Sequence, residues 1–247
     1  MSRKTSPVLI LGARSDMARA IASEYAKLGH PIWLAARNSA SLERDAADLG
    51  VRFSADVTCL DFDVEDFDGH SVFLDGLPET PAIVVCAVGL LGDQDKDAGD
   101  NVASRKIFDV NFSGPVLLLE ALAARMVERP GKTAIIGIGS VAGDRGRAKN
   151  YVYGSAKAGF AAYLSGLRQR YVNSRLQVMT VKPGFVRTAM TEGMDLPGPL
   201  TTDASSFGAR VVAAQRKGRR VYYDFRWWLV MTIIRLLPEP IFVKLKF

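Results

Sequence analysis

Two residues, Tyr153 and Lys157, have types and spacing that could carry chemistry. They stand four positions apart, so on a helix the phenol and the ammonium share one face, one turn apart. A cation beside a phenol favours the phenolate and lowers the tyrosine pKa from its usual value of about 10, which suits proton exchange near neutral pH. With 7 tyrosines in 247 residues, chance supplies about 0.3 such pairs. The pair therefore needs support from the elements around it.

Those elements alternate between short apolar runs and longer helical patterns. Strands are predicted at 8–11, 31–36, 51–55, 82–87, 132–138, 176–181 and 220–223. Helices are predicted at 16–28, 40–49, 101–128, 151–173 and 203–217. The alternation predicts an α/β fold, a single Rossmann-like, doubly wound parallel sheet with helices on both faces. Ligands of such sheets bind beyond the carboxyl ends of the strands, and Ser140 follows one of those ends.

Composition narrows the class of protein. Two cysteines, Cys59 and Cys86, and two histidines, His30 and His70, provide neither a disulfide framework nor a Cys/His metal cluster, so we expect no metal. The scarcity of histidine also argues against a Ser-His-Asp triad. A strand-like run close to the N-terminus, with no signal-peptide pattern before it, predicts a cytoplasmic protein.

The turn after the first predicted strand is a candidate phosphate-binding loop. It contains Gly12, Arg14, Ser15, Asp16 and Met17 and opens the first predicted helix. A glycine turn at a helix N-terminus presents free backbone N–H groups to a diphosphate. Asp16 places a negative charge where the anion would lie, although it could instead serve as an N-terminal helix charge. An ordinary tight turn remains the alternative for the whole segment.

The end of the second predicted strand indicates the cofactor. An acidic residue near this point would accept the ribose 2′-hydroxyl of NAD, whereas a 2′-phosphate favours arginine. Arg37 stands here, and no acid appears until Glu43. Arg37 and Arg14 together predict NADP(H) rather than NAD(H). The alternative is that both arginines are solvated surface charges. After the third predicted strand, Asp56 and Val57 would hold the adenine amino group, or Asp56 would simply cap a helix.

In order and spacing, these residues resemble the short-chain dehydrogenase/reductase family over essentially the whole chain. Ser140, Tyr153 and Lys157 match the family's catalytic Ser, Tyr and Lys, and Asn111, in the long helix after strand four, matches its catalytic Asn. The resemblance implies further cofactor-binding positions at Ala87, Gly89, Tyr153, Lys157, Pro183, Gly184, Val186 and Thr188. It also implies an NAD(P)-dependent oxidoreductase acting on alcohol and carbonyl groups, and a homo-oligomer.

Two departures separate the chain from a typical member of that family. The glycine-rich turn has Asp16 and Ala18 in place of its second and third glycines, and the usual Asn-Ala-Gly after strand four begins with Cys86. Residues 88–94 and the C-terminal pattern resemble a narrower branch that contains decaprenylphosphoryl-ketopentose reductases. That branch implies a keto-sugar substrate carried on a polyprenyl phosphate.

The resemblance also implies a mechanism, the reduction of a ketone to an alcohol. Tyr153 would protonate the carbonyl oxygen, Ser140 would hydrogen-bond the same oxygen, and Lys157 would lower the tyrosine pKa and bind the ribose. Asn111 would hold a water that connects Lys157 to solvent. The alternative class is a catalytically silent nucleotide-binding protein that regulates or scaffolds a partner. The incomplete glycine pattern favours this alternative, whereas the complete set of Asn, Ser, Tyr and Lys argues against it.

Two loops bear on the substrate. Residues 189–202 contain paired glycines and prolines beside the expected site and predict a substrate lid. Residues 144–147, Asp-Arg-Gly-Arg, could meet an anionic substrate or form a surface salt-bridge loop.

The net charge of +6 lies in the tail. From Arg216 onward the sequence has eight basic and two acidic residues, a difference of +6, so nucleic-acid binding by the whole domain is unsupported. We divide the chain into a nucleotide-binding domain at 1–224 and an apolar, basic, amphipathic extension at 225–247. The extension is too short to span a bilayer, but its paired Trp and flanking basic residues suit a helix lying at the inner face of a membrane. Packing on the domain or across a dimer of a soluble reductase is the alternative.

Overall fold

A computed structural model of the protein describes residues 5–245. Seven parallel strands form one sheet in the order β3-β2-β1-β4-β5-β6-β9, and β7 and β8 pair separately. The strands are β1 Val8–Leu11, β2 Ile32–Ala36, β3 Val57–Asp61, β4 Ile83–Cys86, β5 Thr133–Ile138, β6 Leu176–Lys182, β7 Phe185–Arg187, β8 Thr201–Asp203 and β9 Val221–Tyr223. The predicted doubly wound α/β fold is confirmed.

Helices cover both faces of this sheet. They are α1 Asp16–Lys27, α2 Glu43–Phe53, α3 Gly69–Asp75, α4 Gln94–Asp97, α5 Asn101–Phe108, α6 Gly114–Glu128, α7 Tyr151–Arg170, α8 Ala204–Arg216, α9 Phe225–Leu236 and α10 Glu239–Phe242. Successive residues of β1 point into opposite cores, as a two-sided sheet requires. Ile10 packs in the core that contains Ile21 of α1, whereas Leu9 packs in the core that contains Phe160 of α7.

The strand order reverses between β1 and β4, and this reversal locates the ligand crevice. Chain connections from these two neighbouring strands run to opposite sides of the sheet, so a cleft opens beyond their carboxyl ends. Leu11 pairs with Cys86 at that edge. The turns after both strands, at Gly12 and Ala87, therefore lie side by side at the cleft.

The third strand is the one element that the sequence misplaces. The prediction of a strand at 51–55 is wrong, because α2 continues through Phe53 and ends where Ser54 adopts a left-handed conformation with φ 53°. The strand begins later, at Val57, and occupies the edge of the sheet. Its residues are only half-buried or exposed, so it lacks the unbroken apolar signal of the central strands.

The long helix predicted at 101–128 is interrupted at its middle. A π-helical turn, Asp109–Ser113, joins α5 to α6, and such turns often occur at functional sites. By length and composition alone this segment could cross a membrane, but half of its most apolar stretch of residues is buried inside the domain. In the structure this segment packs as part of the core.

Gly137 of β5 permits the close approach of α7. A Cβ at this position would lie 2.3 Å from Leu164 Cδ1 and 3.0 Å from the Phe160 ring, both on α7. Helix α7 also carries Tyr153 and Lys157, so the absence of a side chain at Gly137 helps these residues to lie close to the sheet.

We expect Gly137→Val to lower the free energy of unfolding by about 2 kcal/mol, because overpacking forces α7 away from β5. Urea denaturation measures the change. The matched control is Gly166→Ala on α7, where a Cβ would meet no atom of the described chain within 4 Å; alanine there should be neutral or stabilising by up to about 1 kcal/mol. Equal stability of the Gly137→Val variant and the wild-type protein would contradict the role given to Gly137.

Candidate active site

Lys157 is buried at the carboxyl edge of the sheet. Its side chain arises from the second turn of α7, the lysine is 3% exposed, and Nζ donates to the carbonyls of Val88 and Ile138, each at 3.3 Å. These carbonyls follow β4 and end β5 respectively. The ammonium lies 5.7 Å from the centroid of the Tyr153 ring, so the structure brings the predicted pair together.

The first turn of α7 is held from outside the helix. Asn150 precedes it but forms no side-chain cap within the described chain. Gln94 of α4 accepts a hydrogen bond from the Val152 N–H at 3.0 Å instead. Gln94 thereby satisfies one of the free donors next to Tyr153, and the sequence offered no signal for this contact.

Asn111 lies inside the π turn and is fully buried. Its Nδ2 donates to the carbonyls of Leu90 and Ile107 at 2.7 and 2.9 Å, and its Oδ1 accepts from the Leu90 N–H at 3.2 Å. A Cβ at Gly89 would lie 3.3 Å from this oxygen and 3.4 Å from Lys157 Nζ. Asn111 therefore fixes the segment after β4 and lies beside Lys157, across Gly89.

Ser140 is joined to the proline–glycine turn that follows β6. Its Oγ accepts from the Ala142 N–H at 3.1 Å, and the next residue, Val141, donates its N–H to the Pro183 carbonyl at 3.0 Å. Trp227 of α9 covers this turn, because a Cβ at Gly184 would lie only 1.9 Å from its Nε1. Only glycine leaves room for the indole here.

A cavity of about 480 Å³ opens beside Gly89 and Leu90, the segment that Asn111 fixes; Asn111, Ser140, Tyr153 and Lys157 are not among the residues that line it. Residues from the turn after β1, the end of β2, the segment after β3, the segment after β4 and the loop after β7 line it: Gly12, Arg14, Ser15, Asp16, Met17, Ala36, Arg37, Phe62, Asp63, Val64, Glu65, Ala87, Val88, Gly89, Leu90, Lys106, Val110, Thr188, Ala189 and Met190. The cleft thus runs along the carboxyl edge of the sheet, as the strand order requires.

Comparison with known proteins agrees with this geometry. The model of the short chain dehydrogenase family matches residues 6–196. An uncharacterised oxidoreductase of Mycobacterium tuberculosis H37Rv is 35% identical over 239 residues, which cover 95% of this chain and 94% of the relative. The chain belongs to the short-chain dehydrogenase/reductase family. It is an NAD(P)-dependent oxidoreductase.

Solved structures with the same fold hold either nicotinamide cofactor. A short-chain dehydrogenase from Sphingobium yanoikuyae, in complex with NADPH, aligns with a TM-score of 0.80 at 22% identity and covers 98% of this chain and 96% of its own. A 3-oxoacyl-[acyl-carrier protein] reductase from Brucella melitensis, in complex with NAD, aligns with a TM-score of 0.78 at 24% identity, covering 92% and 99%. The fold is therefore compatible with either cofactor, and the residues that line the cavity determine the preference between NAD and NADP.

The cavity of this short-chain dehydrogenase has the features of a dinucleotide site. Gly12 has φ 78°, and a Cβ there would lie 2.8 Å from the Val88 N–H nitrogen, so only glycine lets the two turns meet. Ser15 makes no side-chain cap to α1 within the described chain, which leaves first-turn N–H groups available to a phosphate. A dinucleotide fits these residues.

The structure places Asp56 and Val57, the residues predicted to contact adenine, away from the cavity, because the third strand begins later than the sequence indicates. Asp56 and Val57 precede or begin β3, at the end of the strand away from the cavity. The residues at its carboxyl end, Asp63 and Val64, line the cavity instead. A correct strand boundary would have found them, since the same Asp-Val dipeptide recurs seven positions later.

The proline–glycine segment divides between two cavities. Thr188 lines the main cavity. Pro183, Gly184 and Val186 line a second cavity of about 240 Å³ beneath α9. Sequence reasoning missed Lys106, which lines the main cavity from α5.

In the loop at 144–147, Asp144 and Arg145 bind other parts of this chain. Asp144 accepts hydrogen bonds from Lys182 and from the Tyr223 hydroxyl. Arg145 Nη1 donates to the carbonyls of Ile234 and Leu237, at 2.5 and 2.7 Å, at the C-terminus of α9. Both charges are thus committed to partners of this chain, and the expectation that they meet an anionic substrate is not supported.

Burial controls the pKa values of Tyr153 and Lys157. It raises the pKa of Tyr153 to about 12, against the lowering effect of a hydrogen bond with Ser140. It lowers the pKa of Lys157 to about 8, because a buried ammonium has lost its water. The expected lowering of the tyrosine pKa by Lys157 is therefore not found: burial raises the pKa of Tyr153 instead, and the phenol stays protonated at neutral pH.

We expect Lys157 Nζ to titrate near pH 8 in the folded protein, charged below that pH and neutral above it. NMR of lysine-labelled protein measures the titration. Lys96 is the internal control, since its exposed ammonium pairs with Asp93, which raises its pKa above the usual range. A Lys157 pKa of about 10.4, the value of a lysine in water, would contradict the effect assigned to burial.

Proposed function

We propose that this enzyme reduces a ketone to an alcohol with NADPH. The observation that carries the proposal is the meeting of Tyr153, Ser140 and Lys157 at the carboxyl edge of β4 and β5, beside the dinucleotide cavity. The bound cofactor supplies hydride to the carbonyl carbon. The protein supplies the proton and holds the oxygen.

Protonation is the task of Tyr153. A phenol with a pKa of about 12 is a proton donor at neutral pH and gives up its proton only as negative charge develops on the carbonyl oxygen. Ser140 hydrogen-bonds the same oxygen. The Lys157 ammonium stabilises the phenolate left behind, and its own pKa near 8 lets it exchange protons under the same conditions.

Two arginines support NADP(H) over NAD(H). Arg14 and Arg37 both line the main cavity, at the turns after β1 and β2 where the adenosine ribose lies in this fold. Glu65, which lines the same cavity, lies 3.4 Å from Arg37 Nη1. A 2′-phosphate bound at these turns would meet the positive charges of Arg14 and Arg37.

Replacement of Tyr153 by phenylalanine tests the reaction. We expect Tyr153→Phe to lower kcat for NADPH-dependent ketone reduction by a factor of about 10²–10⁴, because the general acid is lost, while NADPH affinity stays within about threefold. The matched control is Tyr151→Phe, two residues earlier on α7 and 48% exposed, which should keep wild-type turnover. A panel of soluble and prenyl-linked keto-sugars, each with NADPH and NADH, supplies the substrates.

Two outcomes would contradict the proposal. Retention of most turnover by Tyr153→Phe would remove Tyr153 as the acid. Tight NADPH binding by the wild-type protein, with no oxidation by any ketone of the panel, would favour a silent nucleotide-binding protein instead.

The tail supports an amphiphilic substrate, such as a lipid-linked keto-sugar, at a membrane surface. Helix α9 buries Trp227 and Met231 against the domain. A second line of apolar side chains, spaced three or four residues apart along the same helix, is open: Phe225, Trp228, Leu229, Ile233 and Leu236, each 48–77% exposed. We call these five residues the open stripe.

The open stripe has the composition of a surface that contacts lipid. A helix that is apolar on two faces needs a second apolar neighbour, and Trp beside Arg suits the boundary between headgroups and acyl chains. Arg226 and Arg235 belong to the same helix, and Lys244 follows it; Lys246 and Phe247, also in the predicted extension, lie outside the described residues. Positive charge beside the stripe favours anionic lipid.

We expect the protein to sediment with vesicles of phosphatidylcholine and phosphatidylglycerol. Leu229→Ser with Leu236→Ser should reduce the bound fraction at least about tenfold, since each inserted leucine contributes roughly 1.5–3 kcal/mol when fully buried. Val51→Ser with Val72→Ser is the matched control, because these valines are 87% and 73% exposed on other helices. Unchanged vesicle binding by the leucine variant would reject the lipid contact. If light scattering shows instead that the two leucine substitutions convert a wild-type dimer to a monomer, the open stripe is a subunit interface.

A further inference from the structure

Asp16 connects the dinucleotide turn to the loop after β7. Its Oδ2 accepts a hydrogen bond from the backbone N–H of Ala189 at 2.8 Å, across 173 residues of sequence. Asp16 is the first residue of α1, and it stands where the family pattern has glycine. Both residues line the main cavity, so this bond closes one side of it.

The loop that Asp16 holds has its own internal order. Thr191 Oγ1 donates to the Val186 carbonyl at 2.8 Å and accepts from the Thr188 N–H at 3.1 Å. Residues 186–191 therefore behave as one folded unit whose cavity side is formed by Thr188, Ala189 and Met190. A bond at Ala189 positions the unit as a whole.

The charge of Asp16 has a second consequence. A carboxylate in the first turn of a helix is stabilised by the helix dipole, and Asp16 also lies 3.6 Å from Arg19, which pairs more closely with Asp45 at 3.0 Å. A diphosphate binds to the same end of such a helix. The Asp16 carboxylate would then lie close to a bound diphosphate, and the two negative charges would repel each other.

We propose that Asp16 is a positioning residue that latches the loop 186–191 across the cofactor cavity, and that its negative charge weakens dinucleotide binding. A glycine at this position, as in the family pattern, would remove both the latch and the repulsion. The inference rests on the main cavity being the cofactor site, as proposed above. The latch itself can be measured without cofactor.

Hydrogen exchange of the protein without added dinucleotide tests the latch. In Asp16→Ala, the peptide amides around Ala189 should exchange at least about tenfold faster, because the bond to α1 is lost. Asp16→Asn keeps an oxygen acceptor and should exchange like the wild type. The matched control is Asp45→Asn, which removes a charge from the same ion-pair network without touching Ala189. Unchanged exchange in Asp16→Ala would overturn the latch.

NADPH binding, followed by fluorescence, tests the charge. Asp16→Asn should bind about three- to tenfold more tightly than the wild type, because a like charge near the diphosphate is removed, whereas Asp45→Asn should change the Kd less than about twofold. Equal or weaker binding by Asp16→Asn would overturn the repulsion. Failure of every variant and the wild type to bind NADPH would instead reject the cofactor proposal, and the exchange data would still decide the latch.

Discussion

The burial of one ammonium group organises this enzyme. Lys157 is 3% exposed, and its Nζ is held by two backbone carbonyls at the ends of neighbouring strands. Burying a cation raises the free energy of the folded state unless polar groups surround it. The carboxyl ends of β4 and β5, the π turn at Asn111 and the first turns of α7 therefore meet around Lys157. That convergence creates the candidate active site at the carboxyl edge of the sheet.

The same burial explains why the two proton affinities move in opposite directions. Loss of water disfavours the phenolate of Tyr153 and the ammonium of Lys157 alike. The tyrosine is thereby kept as an acid, and the lysine is brought close to neutrality, where it can gain or lose a proton. Sequence spacing alone suggested only attraction between the two groups, because exposure to water is not visible in a sequence.

Strong local signals explain which parts of the structure could be predicted. The central strands are unbroken apolar runs, and Ser140, Tyr153 and Lys157 keep the order and spacing of a known family, so the fold and the pairing of Tyr153 with Lys157 followed from sequence. The edge strand β3 has no such run, which moved the predicted adenine contact to the wrong end of the strand. Long-range bonds, such as Gln94 to α7 and Asp16 to Ala189, join segments whose proximity only the folded chain reveals.

The tail is tied to the carboxyl edge of the sheet by Arg145, for which the sequence left two alternatives open, an anionic substrate or a surface salt-bridge loop. Arg145, between Ser140 and Tyr153, holds the C-terminus of α9, pairs with Glu239 at 2.6 Å and lies 3.7 Å from the Phe242 ring centroid. The segment that carries Ser140 therefore also anchors the helix that covers the proline–glycine turn. One face of α9 completes the enzyme, which is why its composition alone could not separate packing on the domain from contact with lipid.

The pH dependence of kcat/KM for NADPH-dependent ketone reduction tests the central claim most directly. If the buried Lys157 must be charged to stabilise the phenolate of Tyr153, kcat/KM should be constant below about pH 7 and fall tenfold per pH unit above a midpoint near 8, the pKa of Lys157. A profile that stays level through this range and falls only near pH 10, where a solvated lysine titrates, would contradict the account.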